Sequence, residues 1–343
     1  MVSPVEGAAV LAEVVRGDLV ESVHLGHLVV LDAAGTPVLT VGDPDVVIYP
    51  RSSLKPVQAL AALRHGFAPT DESLLALATA SHNGEPFHLD GVRAILAAAG
   101  LGIEALQNTP DLPLYAPAAL AWHQAGHGPE PLAQNCSGKH AAMLAACVAA
   151  GWDTVTYLDP SHPLQTAIAA AVAELTGDRA APHVTVDGCG APLMSTSLRG
   201  LARAFARLAS ADDGTPEARV ARAMSAHPEM VAGTGRDATL AMRAVPGLVC
   251  KDGAEGVYAG ALSGGPAFAF KVLDGAGRPR PAILAAVLRA AGALDVVGAD
   301  PDALEELARV PVLGHGRSVG SVRVPFGRAP RQTPPGVEGT TAA

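Results

Sequence analysis

Residues 51–58 read Arg51-Ser52-Ser53-Leu54-Lys55-Pro56-Val57-Gln58, and the rest of the chain is ordered here around them. Proline is tolerated only in the first turn of a helix, so Pro56 predicts a helix that starts near Ser53. Ser52 and Lys55 stand three apart and share one face of that turn, which brings the Lys55 amine within reach of the Ser52 hydroxyl. A lysine held neutral beside a serine can take its proton, and the serine then becomes a nucleophile. Two further segments carry the same residue types. Ser81-His82-Asn83 ends a helical run ahead of Gly84-Glu85-Pro86, and Lys251-Asp252-Gly253 follows the short run Leu248-Val249-Cys250. A plainer reading makes Ser52 an N-cap and Lys251 a solvated strand end.

Lysine itself is scarce. The 24 basic residues are 20 arginines and 4 lysines: Lys55, Lys139, Lys251 and Lys271. A guanidinium stays charged, whereas a desolvated ammonium can lose its proton and serve as a base. A bias in nucleotide composition would give the same ratio, so the position of each lysine has to decide.

On either side of the octapeptide the pattern changes. Residues 10–50 alternate as strands, with a turn at Ala33-Ala34-Gly35, and residues 247–274 and 317–326 return to strand around Gly-rich turns. From about 53 to 245 apolar residues recur at helical spacing, and two more helices are expected near 280–293 and 301–309. Strands at both ends with helices between predict an α+β fold, its antiparallel sheet built from about 8–50 and 247–326 with a large helical middle. One domain over about 1–328 is expected, followed by a Pro- and Thr-rich disordered tail at 329–343.

Composition narrows the function. The 343 residues are 49% hydrophobic, carry a net charge of −9 and include only 12 aromatic side chains. An acidic chain without a basic face or stacking platform is not expected to bind nucleic acid. No uncharged apolar run reaches membrane-spanning length, so no membrane partner is expected. Glu6 and Glu13 come early and no basic segment precedes an apolar stretch, so no secretory signal is read. With four cysteines in a chain of this length, reduced thiols and a cytoplasmic location are the expectation.

Two of those cysteines lie in loops. Asn135-Cys136-Ser137-Gly138-Lys139-His140 leads into an Ala-rich helix, and Asp187-Gly188-Cys189-Gly190 follows the strand His183-Val184-Thr185-Val186. The spacing is poor for zinc by the usual four-ligand rules, so a metal, buried thiols and a nucleophilic cysteine all remain open. Cys136, near a helix N-terminus and beside Lys139, is expected to be the more acidic thiol. Cys147 and Cys250 read as core.

Ser-x-x-Lys, Ser-x-Asn and Lys-x-Gly in that order form the set used by penicillin-recognising serine hydrolases. Taken together, RSSLKPVQ, ASHNGEPFH, NCSGKHAAML, DGCGAPL and KDGAEGVY closely resemble the Rhizobium-type (class 3) asparaginase family, over about residues 8–326. The resemblance implies a fold similar to serine β-lactamases and penicillin-binding proteins. It implies hydrolysis of L-asparagine to L-aspartate and ammonia by a homodimer. Carried over to this chain, the nucleophilic Ser-x-x-Lys falls on Ser52 and Lys55, and a second serine–lysine pair on Ser81 and Lys251. The zinc ligands fall on Cys136, Lys139 and Cys189, with the metal assisting. Arg51, Asn83, His140 and Asp187 fall where substrate would be held. Arg236 is a second choice for the substrate carboxylate, and Glu85 or Glu255 for its ammonium. Competing readings are a glutaminase, a penicillin-type hydrolase, and a non-catalytic protein that binds amino acids or zinc.

Overall fold

The computed structural model describes residues 3–180 and 182–326, so the expected tail at 329–343 lies outside the described residues. The strands are β1 (Ala9–Arg16), β2 (Leu19–Leu31), β3 (Pro37–Val41), β4 (Val47–Ile48), β5 (Val184–Val186), β6 (Pro192–Met194), β7 (Thr196–Ser197), β8 (Val249–Gly253), β9 (Val257–Ala261), β10 (Ala267–Val272), β11 (Pro311–Gly314) and β12 (Arg317–Arg323). The helices are α1 (Lys55–Arg64), α2 (Glu72–Ala78), α3 (Pro86–Ala98), α4 (Ala116–Gln124), α5 (Ser137–Ala150), α6 (Pro163–Thr176), α7 (Leu198–Ala209), α8 (Pro216–Ala226), α9 (Pro228–Val231), α10 (Asp237–Ala244), α11 (Arg280–Ala290) and α12 (Pro301–Ala308). None is long and apolar enough to cross a membrane.

The main sheet runs β11-β12-β1-β2-β10-β9-β8, with β3 also paired to β2. Every pairing in it is antiparallel, and the first strand meets the last through Glu13 opposite Arg323. The fold is therefore α+β, with its sheet drawn from both ends of the chain. β8, β9 and nearly all of β10 are buried along their length, and apart from Lys251, Asp252 and Lys271 they consist of apolar residues, Tyr258 and glycine. The amphipathic helix α7 lays Leu198, Leu201, Phe205 and Leu208 over β2, β9 and β10. Beside the sheet, α1 is enclosed by α2, α5, α6 and α8, and buries every residue from Lys55 to Ala62.

The helix expected near Ser53 is entered through a 3₁₀ turn at Arg51–Leu54, and α1 begins at Lys55. Other features depart from the sequence reading, among them β6 and β7 inside the expected helical stretch. β4 leaves the main sheet and pairs with β7. α4 and β11 were not anticipated: α4 buries none of its residues, and β11 is only four residues long. Apolar periodicity has little to register in either.

Candidate active site

The 3₁₀ turn bearing Ser52 is pressed onto the start of the β8–β9 hairpin. Ser53 Oγ donates to the Lys251 carbonyl at 3.1 Å. Gly253 permits this approach, because a Cβ there would stand 2.5 Å from the Pro50 carbonyl oxygen and 2.9 Å from Ser53 Oγ. The glycine of the Lys-x-Gly motif thus sets how closely strand and serine turn can pack. On the same turn Arg51 holds a left-handed φ of 52°, a conformation costing a non-glycine residue about 1–2 kcal/mol.

Ser81 arrives from another direction. Its N–H donates to the Val231 carbonyl at 3.1 Å, that of His82 to Asn135 at 3.1 Å, and that of Asn83 to Ala232 at 2.9 Å. The segment is therefore stitched between the α9 region and the loop before α5. His82 is fully buried, accepts at Nδ1 from Gly84 N–H and faces Ser137 Oγ with Nε2 at 2.9 Å. Burial, together with the charges of His88, Lys55 and Arg236, holds its pKa well below the ordinary value. It is a neutral brace behind Ser81.

Ser52, Ser81, Asn83, Tyr115, Arg236 and Asp252 are among the residues that line one cleft of about 460 Å³. Lys55 Nζ, 1% exposed, donates to the Ala80 carbonyl at 2.6 Å and to Ser81 Oγ at 3.0 Å. Among the described residues no hydrogen bond joins it to Ser52 Oγ. Lys251 Nζ is turned instead to Asp252, 2.7 Å from its carbonyl and 2.7 Å from its carboxylate. Lys55, not Lys251, is thus the lysine bonded to Ser81. Burial pushes the Lys251 ammonium down to about 8, with Lys55 and Arg236 adding to the fall and Asp252 opposing it.

Asp252 is the hub of a buried ionic network. It pairs with Arg236 at 2.7 Å and with Arg280 at 3.4 Å, while Arg280 also reaches Asp237 at 3.3 Å. Despite burial, Lys251 and the two arginines hold the Asp252 carboxyl well below its usual range. Arg236 was read from sequence only as one of two choices for a carboxylate, and Arg280 and Asp237 were not singled out. Nothing in their spacing marks them, since the network is gathered from α10, α11 and β8.

The remaining site residues take other places. Arg51 and Asp187 pair with each other at 2.8 Å, and Arg51 lines a separate cavity. Glu85 accepts from Thr234 N–H and Asn83 Nδ2 in capping α3, and Glu255 borders the Arg51 cavity. His140 is buried, its Nδ1 2.8 Å from the Tyr157 hydroxyl and its Nε2 without a partner.

Cys136 and Cys189 do meet, forming a small buried cluster. Lys139 Nζ donates to Cys189 Sγ at 3.1 Å. The expected order of thiol acidity is reversed. A hydrogen bond with Cys189, then burial, raises the Cys136 pKa. That same bond, with Lys139 and His140 facing it, lowers Cys189. Cys189 is the more acidic of the two because Lys139 donates to it, whereas Cys136 Sγ donates to Asn135 Oδ1 at 3.2 Å. Burial works against the Lys139 ammonium, but the two thiols outweigh it and its pKa rises. Among the described residues no group of three or more His, Cys, Asp or Glu side chains is placed to hold a metal. Two sulfurs and an amine that converge nevertheless make a soft donor set that suits zinc.

No curated protein matches the chain. Among solved structures, a β-lactamase from Mycobacterium bovis superposes with a TM-score of 0.44 at 16% identity, over 78% of this chain and 94% of that one. EstCE1, described as a hydrolase with promiscuous acyltransferase activity, gives 0.41 at 13% identity over 78% and 93% of the two chains. Mglu, in its native form in 4.3 M NaCl, gives 0.32 at 16% identity over 72% of this chain, which spans 56% of that longer one. The family model for L-asparaginase II matches residues 12–324, nearly the whole described chain, and on that match this protein belongs to the L-asparaginase II family of amidohydrolases.

Proposed function

We propose that the protein hydrolyses L-asparagine to L-aspartate and ammonia, with Ser52 as the nucleophile. The observation that carries this reading is the opening of Ser52 and Ser81 into one cleft with Lys55 bonded to Ser81. A neutral amine has two N–H donors and one lone pair. Lys55 donates to Ala80 and Ser81, and in its neutral form it would keep a lone pair for the Ser52 proton. As Ser52 Oγ attacks the side-chain amide carbon, its proton passes to Lys55. Lys55 returns a proton to Ser81 Oγ, and Ser81 gives its own to the departing nitrogen. Ammonia leaves with the C–N electron pair, and a β-aspartyl ester remains on Ser52. Water then attacks the ester by the reverse relay, which frees Ser52 and aspartate. The backbone N–H groups of Ser52 and Ala254, which have no hydrogen-bond partner among the described residues, are proposed to receive the developing oxyanion.

Arg236, which lines the cleft with Ser52 and Ser81, is proposed to hold the α-carboxylate. Zinc held by Cys136, Lys139 and Cys189 would supply fixed positive charge that helps to orient substrate. Lys139 has to lose its proton to such a metal, so uptake should release protons. A homodimer in the cytoplasm completes the reading. The exposed apolar side chains Val47, Tyr49, Val184 and Val186 support a face for a second copy. The test is ammonia release from L-asparagine and L-glutamine by wild type and Ser52→Ala. Turnover of asparagine that is lost in Ser52→Ala supports the reading; turnover retained in that variant defeats it.

A further inference from the structure

Arg236 and Arg280 line two cavities. One is the cleft; the other, about 690 Å³, opens among α10, α11 and α12. Three acidic groups line this second cavity: Asp237, which reaches Arg280, and two that are engaged elsewhere. Glu306 pairs with Arg309 at 2.9 Å, and Asp300 caps α12 by accepting from Ala303 N–H at 2.9 Å. Arg280 is different. Its contacts to Asp252 and Asp237, at 3.4 and 3.3 Å, are long for charged hydrogen bonds, and its Nε is buried with no partner. Gly277 lies beside that Nε, and a Cβ there would be 3.8 Å away, at ordinary contact distance. The rest of the wall is largely apolar, with Leu240, Ala244, Leu307 and Val310.

We propose that this second cavity binds a small organic carboxylate with an apolar stem, gripped by Arg280, and that its occupancy is felt in the cleft through the shared arginines. A guanidinium edge presents Nε and one terminal nitrogen as a fork that matches a carboxylate. An anion seated there draws Arg280 from Asp252 and places a second negative charge behind Arg236. Substrate carboxylate and effector then compete for the same positive charge, and linkage makes the weakening mutual. The binding stands independently of the asparaginase reading; its effect on turnover rests on that reading.

Butyrate is the probe. Calorimetric titration of the full chain should show saturable binding that Leu240→Trp weakens at least tenfold, and Ala303→Phe fills the same cavity from α12 should the first variant not fold. Neither residue lines the cleft, so both variants should keep wild-type kcat. In the wild type, saturating butyrate should raise KM for asparagine by roughly fivefold, the low end of ordinary coupling, and should leave the Leu240→Trp enzyme unaffected. No saturable heat, or binding that survives both cavity-filling variants, overturns the site. Binding that leaves KM unchanged overturns the coupling. Binding that is blocked in Leu240→Trp by a protein that releases no ammonia from asparagine would sink the asparaginase reading and leave this site standing.

Discussion

Gly253→Ala isolates the closeness of strand and serine turn from every polar group in the site. The added Cβ would stand 2.5 Å from the Pro50 carbonyl oxygen, where ordinary contact begins near 3.4 Å, so about 0.9 Å must be gained by moving the turn. The obstacle is backbone oxygen, which cannot swing aside as a side-chain tip would. Overpacking of this kind costs about 1–3 kcal/mol of stability. A displacement of about 1 Å at a reacting group is worth on the order of 100-fold in rate. The expected outcome is a folded protein with kcat lowered about 100-fold, KM little changed and a melting temperature lower by several degrees. Gly128→Ala, where a Cβ meets nothing within 4 Å, is the control and should match wild type. Steady-state ammonia release and a thermal melt on both variants decide the matter. A Gly253→Ala enzyme that melts cooperatively and keeps kcat within threefold of wild type would refute the claim that this glycine seats the nucleophile.

The other predictions concern charge. If neutral Lys251 takes part in turnover, activity should rise with pH through about 8, and Asp252→Asn should move that limb to lower pH, since Asp252 is what raises the Lys251 pKa; a limb that stays put or moves upward counts against the assignment. The same depressed pKa means the unfolded chain binds more protons between about 8 and the ordinary lysine value of 10.5, so Lys251 costs less stability as pH rises through that window. Arg236→Ala should raise KM for asparagine by about 10–100-fold, the worth of one charged hydrogen bond, with a smaller effect on kcat; the reverse split would place Arg236 in the chemical step. Cys189→Ala should lose the zinc that wild type retains after dialysis, read by elemental analysis, and a wild type without bound zinc would remove the metal from the proposal.

The larger architecture was legible because it is written in local patterns. β2 ends in the apolar run Leu28–Leu31 and the Gly-rich turns around β8, β9 and β10 are explicit, so a sheet drawn from both ends follows from the residues themselves. The candidate site was legible only as a set of members. Lys55 meets Ser81 because the Ala80–Asn83 segment is anchored to Val231, Ala232 and Asn135, and no spacing along the chain encodes that. The order of thiol acidity failed for a related reason. It depends on which sulfur faces Lys139 and His140, a fact of packing that a position near a helix start does not reveal. Arg280 and Asp237 resemble ordinary surface charge until α10 and α11 close on Asp252.

Because β1 pairs with β12, the chain cannot finish its sheet until nearly its last described residue has been made. Contacts between such distant segments slow folding, since the closure of a long loop must precede any gain from pairing. During synthesis β1, β2 and the Lys55 helix are present while β8, which packs against the Ser52 turn, has yet to be added. The pairing also brings the two ends of the described fold side by side. A circular permutant that links them through a short flexible segment, and opens the chain in the exposed turn at Ala33–Gly35, would retain every strand neighbour while reversing which half of the sheet forms first.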